Sequence, residues 1–361
     1  MLKDVLKTFG LNADLYTITQ LGTGLINHTW KITDAKNEPK FILQQINKNV
    51  FASPQLIADN IDNVAGYLSK HYPNYLFVAP IAALNGDKLV KYDSKSYYRL
   101  FPYVKDSITI TTVQNPDEGF EAAVQFAQFT GLLDGFDISA LHYTLPGFHN
   151  LSWRFEQFSK AVNTANEERI NSSRQWIEKA FLHRGIVETY NRIINDKLIP
   201  LRVIHHDTKI SNILFNEQGK GICVIDLDTV MPGYYISDVG DMMRTYLSPA
   251  NEEEKDLAKI EVRDDFFKAI TEGYFKQMGS ILTDTEKSLF VYSGKFMIYM
   301  QALRFLTDYL NNDIYYGAAY PEHNLIRTAN QITLLEKYIA KENNFQQIVD
   351  TCISNNTTDR L

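Results

Sequence analysis

Apolar and polar residues alternate, or form short apolar runs, in the first hundred positions, and this pattern predicts β-strands. Six segments share it: residues 15–20, 27–32, 40–46, 76–80, 88–90 and 97–101. A glycine-containing turn separates the first two segments, and Pro102 ends the last one. Apolar residues at helical spacing over residues 56–68 predict one helix among the strands.

The apolar spacing changes to a helical period from about Asp117 onward. Six segments predict helices: residues 118–133, 153–162, 173–195, 264–278, 283–310 and 321–340. Residues 201–204 instead predict a short strand that leads into a polar loop, and residues 213–215 and 222–225 predict a hairpin. We therefore predict an α+β protein with a small antiparallel-sheet lobe at 1–103 and a larger, mainly helical lobe at 104–361.

Composition narrows the class of protein. The chain has 361 residues, of which 45 % are hydrophobic and 22 % charged, which favours a globular protein over a disordered one. A net charge of −7 argues against a nucleic-acid-binding protein. The two cysteines, Cys223 and Cys352, are too few for a disulfide framework. Because no signal-peptide pattern and no membrane-length apolar run occurs, we predict a cytoplasmic protein without membrane partners.

The polar loop after residue 204 carries the strongest chemical signal. Its pattern is His205-x-Asp207-x-x-x-x-Asn212, and Asp226 and Asp228 follow at the end of the next hairpin. With this composition, roughly 0.04 matches to the first three positions are expected by chance. Loops rich in Asp and Asn also form ordinary turns, but the complete pattern favours a chemical function.

Phosphoryl transfer explains the spacing. A catalytic loop of the kinase type needs a carboxylate that accepts a hydroxyl proton and an amide oxygen five residues later that holds Mg²⁺. Asp207 would be the base, while Asn212 and Asp226 would be the metal ligands. Asp228 would add a further metal ligand, and His205 would brace the loop by hydrogen bonding.

The sequence resembles the aminoglycoside phosphotransferase and choline kinase-like superfamily and, within it, the bacterial N-acetylhexosamine 1-kinases. The resemblance is densest in residues 41–47, 206–214, 224–233 and 303–309, and it continues through residues 313–315 and 320–328. It implies a bilobal, protein-kinase-like fold that binds ATP and Mg²⁺. The implied reaction transfers phosphate to the anomeric hydroxyl of N-acetylglucosamine or N-acetylgalactosamine.

The resemblance also implies positions for the two substrates. Backbone groups around Leu100, Phe101 and Tyr103 would hold adenine. Thr229, Arg304 and Tyr315 fall where those sugar kinases bind the hexosamine. An aspartate near the start of a helix, Asp238 or Asp241, would support the catalytic loop, although an acidic residue there also suits helix capping.

Other residues are candidates from their own position. His149 follows a glycine-containing loop and would face the sugar. Gly22 and Gly24 lie in a turn between two strands, where backbone N–H groups approach phosphates. Arg304 has a simpler alternative, an ion pair with Asp308 one helical turn away, and we expect Arg327 to be structural.

Two positions depart from the pattern of kinase-like folds. Such folds place a lysine or arginine on the third strand against the nucleotide phosphates, but the third strand here carries Gln44. We hypothesise that Lys209, two residues after the base, supplies a cation to the γ-phosphate instead. Leu25 stands where the sugar kinases are expected to have a histidine.

Three alternative functions stay open. A kinase of the same fold would phosphorylate another alcohol, such as an amino alcohol, an aminoglycoside or a different sugar. A metal phosphohydrolase would use the adjacent His206 and Asp207, although such enzymes place this pair on a helix. Gln44 alone suggests a non-catalytic pseudokinase. The sequence leaves the oligomeric state open.

Overall fold

The structure is a computed structural model that describes residues 1–22 and 27–358, with side chains described up to 355. The chain forms two compact units. The first consists of Met1–Ile108, Gly135–Pro146 and Leu214–Pro232. The second consists of Thr109–Asp134, Gly147–Ile213 and Gly233–Leu361, of which the last three residues are not described. The lobe boundary that we placed at residue 103 stays a prediction.

A five-stranded antiparallel sheet organises the first unit, with strand order β1-β2-β3-β5-β4. The strands are β1 (Tyr16–Gln20), β2 (His28–Asp34), β3 (Pro39–Ile46), β4 (Val90–Lys91) and β5 (Tyr97–Pro102). Their register pairs Gln44 on β3 directly with Arg99 on β5. The sheet therefore places two polar side chains from distant parts of the sequence side by side.

Two helices belong to the first unit. Helix α1 (Leu2–Thr8) and the strands bury a common apolar cluster that includes Leu6, Leu43 and Tyr98. Helix α2 (Pro54–His71) begins with a proline, whose fixed φ suits a first helical turn. Asn60 on α2 is fully buried and donates to the backbone carbonyls of His142 and Val230.

Twelve α-helices lie in the described chain, and ten of them belong to the second unit. These are α3 (Pro116–Leu132), α4 (Leu151–Thr164), α5 (Glu167–Leu182), α6 (Gly185–Asn195), α7 (Ile236–Tyr246), α8 (Asp264–Met278), α9 (Asp284–Ser288), α10 (Phe290–Leu310), α11 (His323–Ala340) and α12 (Glu342–Thr358). Helix α10 is buried on almost every face and packs against α4, α7 and α11. It is the central element of this unit, as expected for a helix that is apolar all round.

Five short strands follow the main sheet in the sequence. They are β6 (Ile108–Thr109), β7 (Arg202–Ile204), β8 (Ile213–Phe215), β9 (Gly221–Val224) and β10 (Met231–Gly233). The polar loop of interest connects β7 to β8, and the downstream aspartates follow β9. The predicted hairpin at residues 213–225 is confirmed.

The α+β prediction is confirmed, and the differences lie in individual elements. Residues 76–80 are not a strand, because Pro80 has no N–H for a ladder and pairing is limited to one bridge between Ile81 and Leu100. The predicted helix at 173–195 divides into two at residues 183–184. The one predicted at 283–310 divides at Leu289, after a short helix that Thr283 and Glu286 cap reciprocally.

Candidate active site

The loop between β7 and β8 brings Asp207 and Asn212 into contact. The Asn212 side-chain amide donates to the carboxylate Oδ2 of Asp207 at 3.1 Å and to its backbone carbonyl at 2.9 Å. A short 3₁₀ turn, Ile210–Asn212, brings the chain back so that the two residues meet. Both amide donors of Asn212 thus point to Asp207, while its Oδ1 accepts no hydrogen bond from the described residues.

Lys209 lies beside the same carboxylate. Its Nζ is 3.2 Å from Asp207 Oδ1, and its side chain is 46 % exposed. Burial by itself raises the pKa of Asp207, but Lys209, His205 and Asn212 together hold that pKa below its usual value. The attraction of Asp207 raises the pKa of Lys209. At neutral pH the site therefore carries an ionised carboxylate next to an ammonium group.

Two aspartates on α7 hold the loop through its backbone. Asp238 accepts the N–H groups of His205 at 2.9 Å and His206 at 2.7 Å, and Asp241 accepts the N–H of Thr208 at 2.9 Å. Neither caps the helix, since α7 begins at Ile236 without a side-chain cap. Of our two interpretations, support of the loop is therefore the one that the geometry favours.

The loop has a strained backbone that its surroundings maintain. His206 adopts a left-handed conformation with φ 66°, which is uncommon for a residue other than glycine. The ring of His205 is fully buried, and its Nδ1 accepts the backbone N–H of Asp207 at 3.3 Å, so it braces the loop as predicted. Tyr246 Oη donates to the carbonyl of Thr208 at 2.5 Å. These bonds fix the direction in which Asp207 leaves the backbone.

A cleft of about 590 Å³ lies between α4 and the C-terminal end of α10 in this unit. The candidate acceptor residues Arg304 and Tyr315 both line it. The Arg304 guanidinium lies 5.1 Å from the ring of Phe148 and 5.9 Å from that of Tyr315. Aromatic faces and a cation therefore meet at one wall of the cleft.

His149 lies next to Phe148 and beside the loop between β7 and β8. Its ring stacks on Phe148 at 4.4 Å and lies 5.2 Å from the ring of His206. Burial, with smaller effects of His206 and Arg304, holds the pKa of His149 well below its usual value. The imidazole is therefore neutral, and its Nδ1 is buried without a hydrogen-bond partner.

The alternative interpretation of Arg304, an ion pair with Asp308, does not hold, because the two side chains do not pair. Asp308 instead accepts the backbone N–H groups of Tyr315 and Tyr316, and Arg304 donates to Gln301 and weakly to Tyr315. Arg304 and its neighbour Arg154 have no carboxylate partner within the part of the chain that the structure describes. Burial and the proximity of Arg304 lower the pKa of Arg154 to about 10. The cleft thus contains two arginines that no acidic side chain neutralises.

Arg327 is engaged within the protein, as expected of a structural residue. It pairs with Glu252, which also accepts from Arg244 at 3.0 Å. Arg244 in turn holds Asp241 at 3.0 Å. A chain of ion pairs thereby connects α11 to the aspartate that supports the loop.

The remaining candidates lie in the first unit. Asp226, directly after β9, adopts a left-handed conformation with φ 59°. A short 3₁₀ turn, Leu227–Thr229, follows and buries Asp228 and Thr229. Asp228 Oδ1 forms an ion pair with Arg99 Nη2 at 2.5 Å, and its Oδ2 accepts a hydrogen bond from the Asn27 amide at 2.7 Å. Sequence reasoning missed Arg99 and Asn27, although an arginine inside a predicted strand was a usable signal.

The candidate nucleotide residues lie on β3, on β5 or directly after it, and in the turn that follows β1. Leu100 is buried, and its carbonyl accepts the N–H of Ile81, while the N–H of Tyr103 donates to Lys40. Phe101 lies on the same strand, half-buried. Those two backbone groups are therefore already engaged within the unit.

The turn after β1 is described only in part. Gly22 has φ 58° in this turn, with open space where a side chain would stand. Gly24 and Leu25 lie outside the described residues.

The described residues include no cluster of three or more His, Cys, Asp or Glu side chains that would by itself hold a metal ion. An oxygen site of one amide and one carboxylate is not of that kind. No described helix combines the length and the apolar character needed to cross a bilayer.

Comparison with known proteins places this geometry in a family. The profile of the phosphotransferase enzyme family (APH) matches residues 17–270. Among solved structures, the microcompartment-associated aminopropanol kinase is 15 % identical, with a TM-score of 0.63 over 94 % of this chain and 97 % of that chain. Spectinomycin phosphotransferase, solved with ADP and spectinomycin, is 13 % identical, with a TM-score of 0.60 over 94 % and 97 %. Choline kinase from Cryptosporidium parvum Iowa II is 14 % identical, with a TM-score of 0.55 over 92 % of each chain.

Proposed function

The chain belongs to the phosphotransferase enzyme family, and from that premise we propose that it transfers the γ-phosphoryl group of ATP to the anomeric hydroxyl of an N-acetylhexosamine. The observation that carries the proposal is the contact between Asp207 and Asn212 on a loop held by Asp238 and Asp241. This arrangement suits in-line phosphoryl transfer, which depends mainly on positioning and charge stabilisation.

Asp207 takes the role of general base. The acceptor hydroxyl gives its proton to the Asp207 carboxylate, and the acceptor oxygen forms a bond to the γ-phosphorus. The bond from that phosphorus to the β–γ bridging oxygen breaks, and ADP leaves. Because Lys209 and Asn212 lower the pKa of Asp207, the carboxylate is ionised and ready to accept the proton at neutral pH.

Mg²⁺ fits the oxygens that this chain presents. Asn212 offers an uncommitted Oδ1, and Asp226 offers a carboxylate on a strained backbone, of the kind found at functional sites. Asp228 stays a third candidate ligand, although its Oδ1 is in an ion pair with Arg99 and its Oδ2 accepts from Asn27. Bound Mg²⁺ would neutralise charge on the nucleotide phosphates. Lys209, only 3.2 Å from the base, would add a cation at the γ-phosphate.

ATP is assigned to the first unit. Leu100, Phe101 and Tyr103 would hold the adenine, and Gly22, Gly24 and Gln44 would approach the phosphates. Support comes from the family membership and from spectinomycin phosphotransferase, whose structure contains ADP. The left-handed conformation of Gly22 suits a turn that exposes backbone N–H groups.

The acceptor is assigned to Thr229, Arg304, Tyr315 and His149. The cleft at Arg304 combines aromatic rings, which stack on sugar faces, with two arginines that lack carboxylate partners. A cationic acceptor would be repelled by those arginines, whereas a neutral N-acetylated sugar can accept hydrogen bonds from them. The charge at the cleft therefore favours a sugar over an amino alcohol.

A second candidate acceptor class follows from the neighbours. The aminopropanol kinase, the spectinomycin phosphotransferase and the choline kinase are named for amine-bearing compounds. Glu156 and Asp308 also line the cleft and would attract an amine. An amino-alcohol or aminoglycoside kinase is therefore the alternative that an experiment must separate.

Release of ADP from Mg-ATP tests the proposal. N-acetylglucosamine and N-acetylgalactosamine are compared with 1-aminopropan-2-ol, choline, spectinomycin and no acceptor. We expect release that depends on the N-acetylhexosamine, that Asp207→Asn abolishes, and that the exposed control Asp196→Asn keeps. Release with the amines alone would transfer the function to the second class. Phosphorus NMR of the product identifies the phosphorylated hydroxyl.

A further inference from the structure

The third strand presents a glutamine where a phosphate-binding cation is expected, but that glutamine holds an arginine. Gln44 and Arg99 are direct partners across β3 and β5. The Arg99 Nε and Nη2 groups donate to Gln44 Oε1 at 3.0 and 2.8 Å. The Gln44 amide nitrogen is 3.3 Å from the hydroxyl of Thr29 on β2, which orients its oxygen toward Arg99. A permanent positive charge therefore lies at this point of the sheet.

Asp228 anchors the guanidinium from the loop after β9. Its Oδ1 lies 2.5 Å from Arg99 Nη2, and both side chains are 3 % exposed. Its Oδ2 accepts from the Asn27 amide at 2.7 Å, and Asn27 Oδ1 accepts the backbone N–H of Asn47 at 3.0 Å. The carboxylate is therefore held by a hydrogen bond from Asn27, and its ion pair with Arg99 fixes the position of the guanidinium.

In kinase-like folds a helix glutamate pairs with the third-strand lysine, but neither acidic residue of helix α2, Asp59 or Asp62, pairs with Arg99. The Asn60 amide on α2 donates to a backbone carbonyl, and Asp62 pairs with Lys88 at 2.7 Å. The buried ion pair at this end of the sheet is instead the one between Arg99 and Asp228. Asp228 is only two residues beyond Asp226, the candidate metal ligand.

One donor of Arg99 has no partner. Its Nη1 is buried and makes no hydrogen bond, although the residue is only 2 % exposed. A buried donor without an acceptor is unfavourable, and an anionic oxygen would satisfy it. The ring of Phe101, 5.0 Å from the guanidinium, restricts the plane in which that oxygen can approach.

We propose that Arg99 is the phosphate-binding cation of this chain, positioned by Gln44 and anchored by Asp228. The inference rests on the proposed use of ATP, and it assigns Asp228 to holding Arg99 rather than to binding metal. Its ligand is the polyphosphate of the nucleotide. If the ion pair between Arg99 and Asp228 were only structural, substitution of Arg99 would change the affinity for a nucleotide and for its nucleoside equally.

Calorimetric binding of ATP, ADP and adenosine, without metal and without acceptor, separates the two roles. We expect Arg99→Gln to weaken ATP and ADP at least tenfold and adenosine less than twofold. Arg99→Lys retains the charge and should lose less. Equal losses for all three ligands, or unchanged ATP binding, would overturn the proposal.

Two further variants complete the test, and Asp228→Asn keeps it decisive if Arg99→Gln is poorly folded. The double variant Gln44→Lys with Arg99→Gln moves the cation back to β3, and we expect it to recover most of the ATP affinity. Asp228→Asn should weaken metal-free ADP binding if Asp228 anchors Arg99. If Asp228 only binds metal, this variant changes Mg²⁺ dependence alone, and the proposal is wrong.

Failure of the proposed phosphotransferase function can be distinguished from failure of the proposed role of Arg99. Wild-type protein that binds ATP more tightly than adenosine but shows no acceptor-dependent ADP release would refute the phosphotransferase activity on these acceptors. The comparison of Arg99 variants would still decide the binding role.

Discussion

The Asp238 carboxylate accepts the backbone N–H of His206 at 2.7 Å, at a residue whose φ of 66° is left-handed. The same carboxylate accepts the N–H of His205 at 2.9 Å, so one buried side chain holds two successive peptide groups. Since Asp207 is the next residue, the direction of the candidate base depends on an aspartate of helix α7.

Asp238→Asn should impair turnover more than binding. An asparagine offers one oxygen where two N–H groups need acceptors, and a hydrogen bond to a charged group contributes about 1.5–3 kcal/mol. We expect kcat to fall about 10- to 100-fold, while calorimetry shows ATP affinity within about twofold of wild type. Asp284→Asn, at a fully exposed position, serves as the matched control. Equal losses in ATP affinity and kcat would contradict a positioning role.

The pH dependence of kcat should follow the protonation of Asp238. Burial raises its pKa to about 6, against 3.8 for an exposed aspartate, while Asp207 stays ionised because its pKa is lowered. Protonation below pH 6 removes an acceptor from the loop, so kcat should fall there. Asp238→Asn should lack this acidic limb; a limb that persists in the variant would assign it to another group.

The free energy of unfolding should decrease with rising pH over the range in which kcat increases. The folded protein binds a proton at Asp238 near pH 6, whereas the unfolded chain does so near 3.8. The contribution of this group to the free energy of unfolding is therefore present below pH 3.8 and is lost as the pH rises through 6. Urea unfolding at pH 4.5 and 7, in wild type and Asp238→Asn, isolates the contribution as the difference between the two proteins.

Lys209→Ala should lower kcat, because its Nζ is the cation nearest the candidate base, at 3.2 Å. Loss of one charge at a transferring phosphoryl group suggests a decrease of about 10- to 100-fold. Lys209→Arg should retain part of the rate, and Lys70→Ala, an exposed lysine of α2, should retain all of it. An unchanged turnover number in Lys209→Ala would exclude this role.

Gly240→Ala should destabilise the second unit. A Cβ at this position of α7 would meet the Ser293 backbone carbonyl of α10 and would lie 2.7 Å from Met297 Cβ. Overpacking of this kind costs about 1–3 kcal/mol, and it would displace the helix that carries Asp238 and Asp241. Thermal unfolding should show a lower Tm, whereas Gly185→Ala, with open space around it, should leave Tm within about 1 °C.

Arg304→Gln should raise KM for the N-acetylhexosamine about tenfold without changing KM for ATP, because Arg304 lines the acceptor cleft and has no acidic partner to release. Lys160→Gln, an exposed cation of the same cleft, controls for net charge. A lower KM for choline or aminopropanol in Arg304→Gln would instead support the cationic acceptor class.

The periodicity of apolar residues predicted most elements because each element buries one face. The prediction of an unbroken helix was wrong at residues 183–184 and at Leu289. At both places the apolar spacing continues through a break in the helix that depends on the local backbone. The prediction of a strand was also wrong for residues 76–80, whose apolar run is packed without a partner strand.

The sequence by itself located the loop that carries the candidate base. Asp207 and Asn212 are five residues apart, so a single tight turn brings an amide to a carboxylate, and their spacing was sufficient to select both as candidates. Only the tertiary structure decided which residues hold that loop and what replaces the absent lysine. Asp238 reaches His206 from a separate helix, and Arg99 meets Gln44 and Asp228 through strand register and the loop after β9. Contacts between residues so distant in sequence depend on packing, which local spacing does not encode.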